Sequence, residues 1–495
     1  MSDDLAHAPI DSAPQPTALP GGTMVRRAYA QRSVFEVLLP DGDKLWDAEL
    51  RTIDEVLDDD DLVDLLDAAL RRRYPLSGRR GRLGTPATVV LRMLLLKHLR
   101  DWSFDECERE VRGSLVYRAF CRVDCERVPD AKTLIRLAQL LGPETLKPIL
   151  ERLVHVARRR RVTRGARLRV DTTVVETNIH YPTDSSLLAD GVRVLTRTLK
   201  RLAARGGGEN AGHVRDRTRS VARRVFEIVQ RTRAAGRGSA AAQAQRKARV
   251  TTLYREVMAI TRAVVRQAER MGRQVARARR GRVADLGRKL EETLGLVRRV
   301  LIQTHARILK GNSHHPDKIL SLFEPHTEVI RKGKAAKPTE FGKVVKIQEA
   351  EGQIITDYQV CPTRVPDDEL WTPALDRHVT LFGRAPRLAV ADAGFASPAN
   401  EQAATDRGVH HVVLPRRGRP APSRHPPQRE RWYRRALRWR TGSEGRISAI
   451  KRCHGLRRCR YRGEAGMERW VGLGVIANDL RALARAGPRG ARWPR

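Results

Sequence analysis

The stretch RLRVDTTVV at residues 167–175 decides the fold class, because hydrophobic and polar side chains alternate along its first half. Leu168 and Val170 alternate with Arg169 and Asp171, and a β-branched run continues to residue 175. A period of two followed by β-branched residues is typical of a strand in a half-buried sheet. The stretch therefore predicts a β-strand with an acidic side chain, Asp171, on its polar side.

The second half of the chain carries the signal of a hairpin. Residues 344–347 are rich in valine and isoleucine, residues 351–352 form a Glu-Gly pair, and apolar residues return over 354–360. Two apolar runs joined by a short turn that contains glycine predict an antiparallel hairpin. We therefore expect the strand at 167–175 to belong to a sheet with at least three strands.

Helices and strands alternate after the hairpin. A helical stretch at about 370–382 leads to the short apolar strand 388–390, and Asp392 follows directly. Residues 397–408 begin with Ser-Pro and end with glycine, which are the residues expected at the two ends of a helix. Residues 411–414 return to the strand pattern. The alternation predicts that these strands join the sheet of the hairpin.

The order of elements indicates an α/β fold. It reads strand, helical insert, hairpin, helix, strand, helix, strand and helix, with a Pro/Arg-rich loop over 415–430 before the last helix. This order predicts a mixed sheet with a large helical insertion at about 187–312. We expect residues 161–480 to form this domain and residues 481–495 to form a basic C-terminal tail.

The N-terminal region is predicted to be helical. Ser103 followed by Glu106 makes a capping box, and other short helices with brief turns surround it. This pattern fits an all-α DNA-binding domain over residues 46–160, although the spacing alone fits any small helical domain equally well. Residues 1–45 begin with a stretch rich in Ala, Pro, Asp and Gly, and we expect them to be disordered or weakly ordered.

The charge of the chain indicates a polyanionic partner. The sequence holds 96 Lys+Arg against 57 Asp+Glu, a net charge of +39. Cations that neutralise phosphates release condensed counterions, so this excess favours nucleic acid. Residues 191–310 alone hold 31 Lys+Arg against 8 Asp+Glu, an imbalance that favours DNA contact over a solvated face of mixed charges. Aromatic residues make up only 5%, which argues against RNA recognition by stacking.

The sequence predicts neither a membrane partner nor secretion. No apolar run approaches the ~20 residues that span a bilayer, and the N-terminus lacks the basic start and apolar core of a secretory signal. We therefore expect a cytoplasmic, nucleoid-associated protein. The 6 cysteines show neither a disulfide framework nor the paired spacings of a zinc site, and are expected to be reduced.

Two strand-associated aspartates are candidates for metal chemistry. Metal-assisted phosphoryl transfer needs carboxylates around two divalent cations about 3.5–4 Å apart, and Mg²⁺ prefers oxygen ligands. Asp171 lies on the polar side of the first strand, and Asp392 directly follows an apolar strand. A lone aspartate at a strand end is more often a turn or cap former, and spacing does not exclude Glu176, Asp184 or Asp357 as alternatives.

The last helix offers a third carboxylate. Arg440, Glu444 and Lys451 are spaced i, i+4 and i+11, close to a single helical stripe. Such a stripe also fits an exposed ladder of ion pairs, each worth a few tenths of a kcal/mol. The excess of cations around Glu444 favours a carboxylate that works among phosphates.

These segments resemble DDE-type insertion-sequence transposases, and in particular the ISNCY group. The resemblance is carried by VDTTVVETNIHYPTDSSLL (170–188), SLFEPHTEVIRKGKAAKPTEFGKVV (321–345), VADAGFASPANEQAATDRGV (390–409) and RWRTGSEGRISAIKRCHGLRRCRYRG (438–463). The segment TPATVVLRMLLLKHLRDWSFDECEREV (85–111) resembles the helical DNA-binding region of those proteins. Together the resemblance covers most of residues 75–480 and implies an RNase H-like catalytic core.

The resemblance also implies the catalytic residues. In such enzymes the first strand carries one Asp, a later strand the second, and the final helix the Glu, which gives Asp171, Asp392 and Glu444 as catalytic residues and metal ligands. It implies two Mg²⁺ ions, for which Mn²⁺ substitutes. Water would free a 3′-OH at the end of the element, and that hydroxyl would attack the target DNA without a covalent protein–DNA intermediate.

Many relatives share a Tyr-x2-Arg-x3-Glu-x6-Lys signature around the Glu. Arg440, Glu444 and Lys451 match its spacing, whereas Leu437 occupies the position of the tyrosine. The missing tyrosine removes one expected DNA contact and leaves the assignment of the glutamate unchanged. The resemblance implies that the basic residues of this helix, Arg440, Arg446 and Lys451, contact DNA.

The implied partners are double-stranded DNA, as element ends and as target, and a second copy of the chain. Two DNA ends must be held together, so at least a homodimer is expected during the reaction. Two alternatives stay open. The first is a structure-selective nuclease with the same carboxylates, and the second is a catalytically inactive, element-derived DNA-binding regulator.

Overall fold

The structure is a computed structural model. It describes Arg27 and residues 46–72, 84–205, 214–236, 238–276, 281–316, 318–331, 339–415 and 430–487. The predicted disorder of residues 1–45 falls outside the described residues except for Arg27. The end of the basic tail, from residue 488, and most of the Pro/Arg-rich loop fall outside them as well.

Short helices with defined caps form the N-terminal region. The side chain of Asp47 accepts a hydrogen bond from the Leu50 N–H, and Ser103 and Glu106 form the predicted capping box. These caps satisfy backbone N–H groups that the first turn of a helix leaves without partners. The helices are α1 (Ala48–Leu57), α2 (Asp60–Arg71), α3 (Ala87–Leu99), α4 (Phe104–Gly113), α5 (Leu115–Phe120), α6 (Ala131–Ala138) and α7 (Pro143–Arg159).

A six-stranded mixed sheet follows, as predicted. β3 is antiparallel to β1, β2 and β4, whereas β1, β5 and β6 are parallel to one another. The sheet order is β2-β3-β1-β5-β6, and β4 pairs with β3. The strands are β1 (Arg167–Glu176), β2 (Glu328–Ile330), β3 (Glu340–Ala350), β4 (Ile355–Val360), β5 (Leu388–Val390) and β6 (His411–Val413).

The predicted hairpin is the pair β3 and β4, and its turn depends on Gly352. This residue has a positive φ of 75°, and a Cβ there would lie 2.3 Å from the carbonyl oxygen of Val162. Only glycine fits both the conformation and the close approach. The turn thereby fixes the register in which β3 also pairs with β1.

Four helices fill the predicted insertion between β1 and β2. They pack around a hydrophobic core of their own, which includes Leu195 of the first helix, Val257 of the third and Leu294 of the fourth. Their apolar faces turn inward and their basic residues lie outward, as expected for amphipathic helices. The helices are α8 (Asp184–Ala203), α9 (Thr218–Arg233), α10 (Ala240–Val275) and α11 (Gly281–Thr304).

Four further helices lie among the described residues after the insertion. The predicted helix after Ser397 is confirmed, because the serine side chain caps it and Gly408 follows its end with a φ of 82°. The last helix continues past residue 480, where the sequence predicted the start of a tail. These helices are α12 (Trp371–Phe382), α13 (Pro398–Asp406), α14 (Arg431–Cys453) and α15 (Glu464–Ala486).

One hydrophobic core joins the N-terminal helices to the sheet. It contains Leu95 of α3, Val345 of β3, Tyr358 of β4 and Trp470 of α15, all buried. The packing therefore shows no break at residue 160, and the division into two domains at that point stays a prediction. All six cysteines lie among the described residues without a disulfide. Among the described residues, no helix is both long enough and apolar enough to cross a membrane.

Candidate active site

The two predicted aspartates occupy matching positions on neighbouring parallel strands. Arg169 of β1 lies opposite Val390 of β5, and Asp171 and Asp392 each follow this pair by two residues. The backbone of Asp392 is still extended, with φ −82° and ψ −179°. Because side chains alternate along extended chain, both aspartates belong to the same side of the sheet. The structure thus places two of the three predicted carboxylates at one edge of the parallel strands.

Asp171 is half-buried and held by hydrogen bonds. The Ser443 hydroxyl of α14 donates to its Oδ2 at 2.7 Å, and the Thr172 backbone N–H donates to its Oδ1 at 2.7 Å. These bonds fix the direction of the carboxylate. The contact with Ser443 also ties α14 to the first strand, although the two residues are 272 positions apart in the chain.

Asp392 lies beside a carboxylate that the sequence did not indicate, that of Asp367. The Oδ1 of Asp392 accepts the Gly394 N–H at 2.9 Å. A Cβ on Gly394 would lie 3.1 Å from this oxygen and 2.8 Å from the Oδ2 of Asp367. The other oxygen of Asp367 accepts the Thr172 hydroxyl at 3.0 Å. Asp367 therefore lies between β1 and the segment that follows β5, and a run of acids over residues 367–369 was its only signal in the sequence.

Glu444 lies on α14 directly after Ser443, the residue that binds Asp171. Its side chain is exposed, and within the described part of the chain it makes no hydrogen bond or ion pair. A carboxylate in this position is available to a ligand. The structure brings its helix to Asp171 without bringing Glu444 itself into contact with either aspartate.

A buried ion pair fixes α14 on the sheet beneath the carboxylates. Arg169 donates to both carboxylate oxygens of Glu349 on β3, at 2.9 and 2.6 Å, and to the Trp439 carbonyl oxygen of α14 at 2.6 Å. Gly442 permits this approach, because a Cβ there would lie 2.5 Å from the Arg169 Nη1. A paired arginine with its hydrogen bonds satisfied is the form in which a charge is tolerated in a core.

The three basic residues predicted to contact DNA lie in different environments. Arg446 points into the protein, where it donates to the Asn478 amide oxygen at 3.0 Å and lies 3.5 Å from Glu349. Arg440 is half-buried, and its Nε makes no hydrogen bond with any described residue. Lys451 is half-buried near the end of α14. DNA contact by these residues stays a prediction, and the environment of Arg440 is the one that best suits a phosphate ligand.

The three alternative carboxylates hold the fold together. Glu176 accepts from Arg458 at 3.2 Å, and Asp184 accepts from Gln303 and from Arg307 at 3.1 and 3.0 Å. Asp357 is buried on β4, where its carboxylate lies 3.1 Å from a lysine of β3. Each is engaged by protein cations or amides, and the choice of Asp171 and Asp392 over these three stays a prediction.

Two family patterns match the chain at its two ends. The family described as "Transposase domain (DUF772)" matches residues 35–140, which contain α1 to α6. The family described as "Transposase DDE domain" matches residues 405–484, which contain α14 with Glu444. Asp171 and Asp392 lie outside both matches.

A similar protein from Rhizobium meliloti, named "Uncharacterized protein ORF8 in nfe locus", is 30% identical over 128 residues, or 24% of this chain. The match covers 62% of that relative's length. No solved structure gives a significant match. The two family matches confirm the resemblance found in the sequence: the chain is similar to the insertion-sequence transposases of the DDE type.

Proposed function

We propose that this protein is a transposase that cleaves the ends of an insertion element and joins them to target DNA in a metal-dependent reaction. One observation carries the proposal: Asp171 and Asp392 occupy matching positions on adjacent parallel strands, and α14 is tied to Asp171 through Ser443. This arrangement brings the helix of Glu444 to the aspartates of the sheet. The transposase domain matches support the DNA-binding part of the proposal.

The topology supports an RNase H-like core. The central strand β1 has an antiparallel hairpin strand on one side and two parallel strands on the other. The helical insertion leaves the sheet after β1 and returns before β2. The insertion therefore does not interrupt the sheet, and β1 and β5 stay side by side next to α14.

The donor set fits a hard divalent cation, because Asp171, Asp392 and Glu444 offer only carboxylate oxygens. The described residues contain no group of three or more His, Cys, Asp and Glu side chains placed to hold a metal ion, so a cation would have to draw Glu444 toward the aspartates. Mg²⁺, or Mn²⁺ in its place, would neutralise charge on a phosphate and make water a better nucleophile.

Three residues of the chain position the reaction. Ser443 holds the Asp171 carboxylate, and Asp367 holds the segment around Asp392 through Thr172 and the close approach to Gly394. Arg440, one turn before Glu444, has a buried N–H without a hydrogen-bond partner among the described residues, which suits donation to a phosphate oxygen. Positioning and electrostatic stabilisation carry reactions of this kind.

The test is cleavage of duplex DNA that carries the element's own ends, in Mg²⁺ and in Mn²⁺. We expect Asp171→Asn to lower the cleavage rate by at least about a thousandfold, since several kcal/mol of charge stabilisation are lost. DNA binding by this variant should survive. Asp376→Asn is the matched control, because Asp376 is an exposed carboxylate on α12 that pairs with Arg407 away from the site.

Each outcome of this assay decides between the proposal and its alternatives. Full cleavage by Asp171→Asn would remove Asp171 from the site. Wild-type protein that cleaves without joining the ends to target DNA would be a nuclease. Binding by the wild type without cleavage in either ion would indicate a regulator. Two DNA ends must meet for joining, so we also propose that the reacting species is at least a dimer.

A further inference from the structure

Helix α8 of the insertion presents a row of exposed cations. Arg193, Arg197 and Arg201 are exposed on successive turns, and Arg205 continues the row just after the helix ends. At 1.5 Å per residue, the row is about 18 Å long. Duplex DNA carries one phosphate charge per about 1.7 Å of its axis, so about ten phosphates pass along a surface of this length.

Two clefts lie along this row. The first, of about 570 Å³, is lined by the four arginines, by Lys200 and by one acid, Asp216. The second has about the same volume, 570 Å³, and shares Arg193 and Arg197 with the first; it adds Lys289 of α11, Arg462 and one acid, Glu292. We name the two clefts together the basic trough. Seven cations and two acids line it.

Most of the positive charge in the trough is not neutralised by the protein. Lys200 lies 2.7 Å from Asp216, and Arg193 lies 2.5 Å from Asp190. In contrast, Arg197, Arg201 and Arg205 make no ion pair with any described residue. Exposed arginines of one sign along a helix repel one another, and a polyanion relieves that repulsion.

The loop that lines one end of the trough also contacts the strand that carries Asp171. Arg462 belongs to the loop between α14 and α15, and the N–H of the next residue, Gly463, donates to Glu324 at 2.9 Å. Arg458 in the same loop contacts Glu176, the last residue of β1, at 3.2 Å. Glu176 is five residues beyond Asp171, or about 16 Å along an extended strand. The loop of Arg462 thus links the trough to β1, the strand of Asp171.

We propose that the basic trough binds the phosphate backbone of duplex DNA and guides it toward Asp171 and Asp392. The inference rests on the proposed function and names the surface of the insertion that the substrate occupies. Arg197, Arg201 and Arg205 would each neutralise a phosphate. The cations of α8 and Arg462 would contact the DNA backbone and would not read the bases.

The chemistry of the trough favours a duplex over other polyanions. A single strand is held by aromatic platforms between the cations, and the trough offers one aromatic side chain, Phe323, which Arg193 already covers at 5.7 Å. An acidic protein segment would need apolar pockets between its charges. The first cleft is lined by arginine, lysine, threonine, one alanine and Asp216, and apolar side chains line only the second cleft, at the Arg193 end of the row.

The test is the salt dependence of binding to a fluorescently labelled, random-sequence duplex DNA without divalent ions. The variant is Arg197→Gln/Arg201→Gln/Arg205→Gln. Each lost phosphate contact lowers the slope of log affinity against log salt by about 0.9, so we expect a decrease of roughly 2–3 and an affinity at least about tenfold weaker at low salt. The substituted side chains are exposed, so the thermal unfolding curve should not change.

The matched control is Arg255→Gln/Arg262→Gln/Arg266→Gln, which removes three exposed arginines of α10 outside both clefts. We expect the control to keep the wild-type slope. Equal losses in the two variants, or an unchanged slope in the trough variant, would overturn the proposal. Stronger competition by single-stranded than by duplex DNA would overturn the duplex assignment. Cleavage of element ends is measured on the same preparations. Absence of cleavage by the wild-type protein would count against the proposed function, whereas an unchanged salt slope in the trough variant would count against the trough alone.

Discussion

Arg169 and Lys97 are both buried cations at junctions between elements, yet their surroundings differ. Arg169 lies beneath the candidate site and is paired with the carboxylate of Glu349 at 2.6 Å. Lys97 of α3 is 2% exposed and makes no ion pair with any described residue. Three aromatic rings surround its Nζ at 4.8–5.3 Å from their centroids, those of Phe104, Tyr461 and Trp470.

The difference shows two ways of keeping a charge inside this protein. The pair of Arg169 joins β1, β3 and α14 through hydrogen bonds, so both charges are compensated. The aromatic site of Lys97 joins the N-terminal helices to the segment around α15, but ring faces compensate a charge only in part. Burial lowers the pKa of Lys97 to about 8. We therefore expect the stability of the N-terminal junction to depend on pH.

The largest expected effect is that of Arg169→Met. The substitution leaves the Glu349 carboxylate buried, with only the more distant Arg446 beside it, and should lower the free energy of unfolding by about 3–5 kcal/mol. Urea denaturation at pH 7 measures this. Arg109→Met is the control, since Arg109 forms an exposed pair with Glu110 and should cost at most about 1 kcal/mol. Similar losses in the two variants would show that Arg169 is not a buried anchor.

Lys97→Met tests the other half of the comparison. The pKa of Lys97 in the folded protein, about 8, lies below the ordinary lysine value of 10.5, so the unfolded chain binds more protons between these two pH values. The stability of the wild type relative to the Lys97→Met variant should therefore rise with pH, by about 3 kcal/mol in total. Paired urea unfolding curves at pH 7.5 and pH 10 measure this difference. A difference that stays constant would mean that burial does not disfavour the charged lysine.

A smaller effect is expected from Ser443→Ala, which removes the hydroxyl that donates to Asp171. Stability should fall by about 1 kcal/mol, and cleavage by roughly tenfold, because the carboxylate is no longer oriented. Ser448→Ala on the same helix is the control for the loss of a helical serine. Unchanged cleavage by Ser443→Ala would show that the hydrogen bond from Ser443 to Asp171 does not contribute to catalysis.

Much of the sheet could be predicted from local sequence. The strand at 167–175, the hairpin turn at Gly352 and the capping residues Ser103 and Ser397 are set by neighbours in the chain, and each is found in the structure. The alternation did not show that β1 is buried on both faces. The matching positions of Asp171 and Asp392 follow from two parallel strands that each carry an aspartate at the same edge.

Other features depend on contacts between distant residues and left no local pattern. The approach of Asp367 to Thr172 joins residues 195 positions apart, and the inward direction of Arg446 depends on Asn478 of the following helix. Helix periodicity placed Arg446 on the basic helix but could not show which neighbour covers it. The shared core of the N-terminal helices and α15 could not be predicted either, because an apolar helix face does not indicate which element packs against it.

The most direct test of the account is strand joining by wild type and Glu444→Gln. Both are given DNA with the element's own ends and a target duplex in Mg²⁺. Glu444 is exposed and makes no hydrogen bond or ion pair with described residues, so the substitution should leave stability and DNA binding unchanged. The account predicts joined products with the wild type and none with Glu444→Gln. A full yield of joined products from Glu444→Gln would contradict the assignment of Glu444 to the metal site with Asp171 and Asp392.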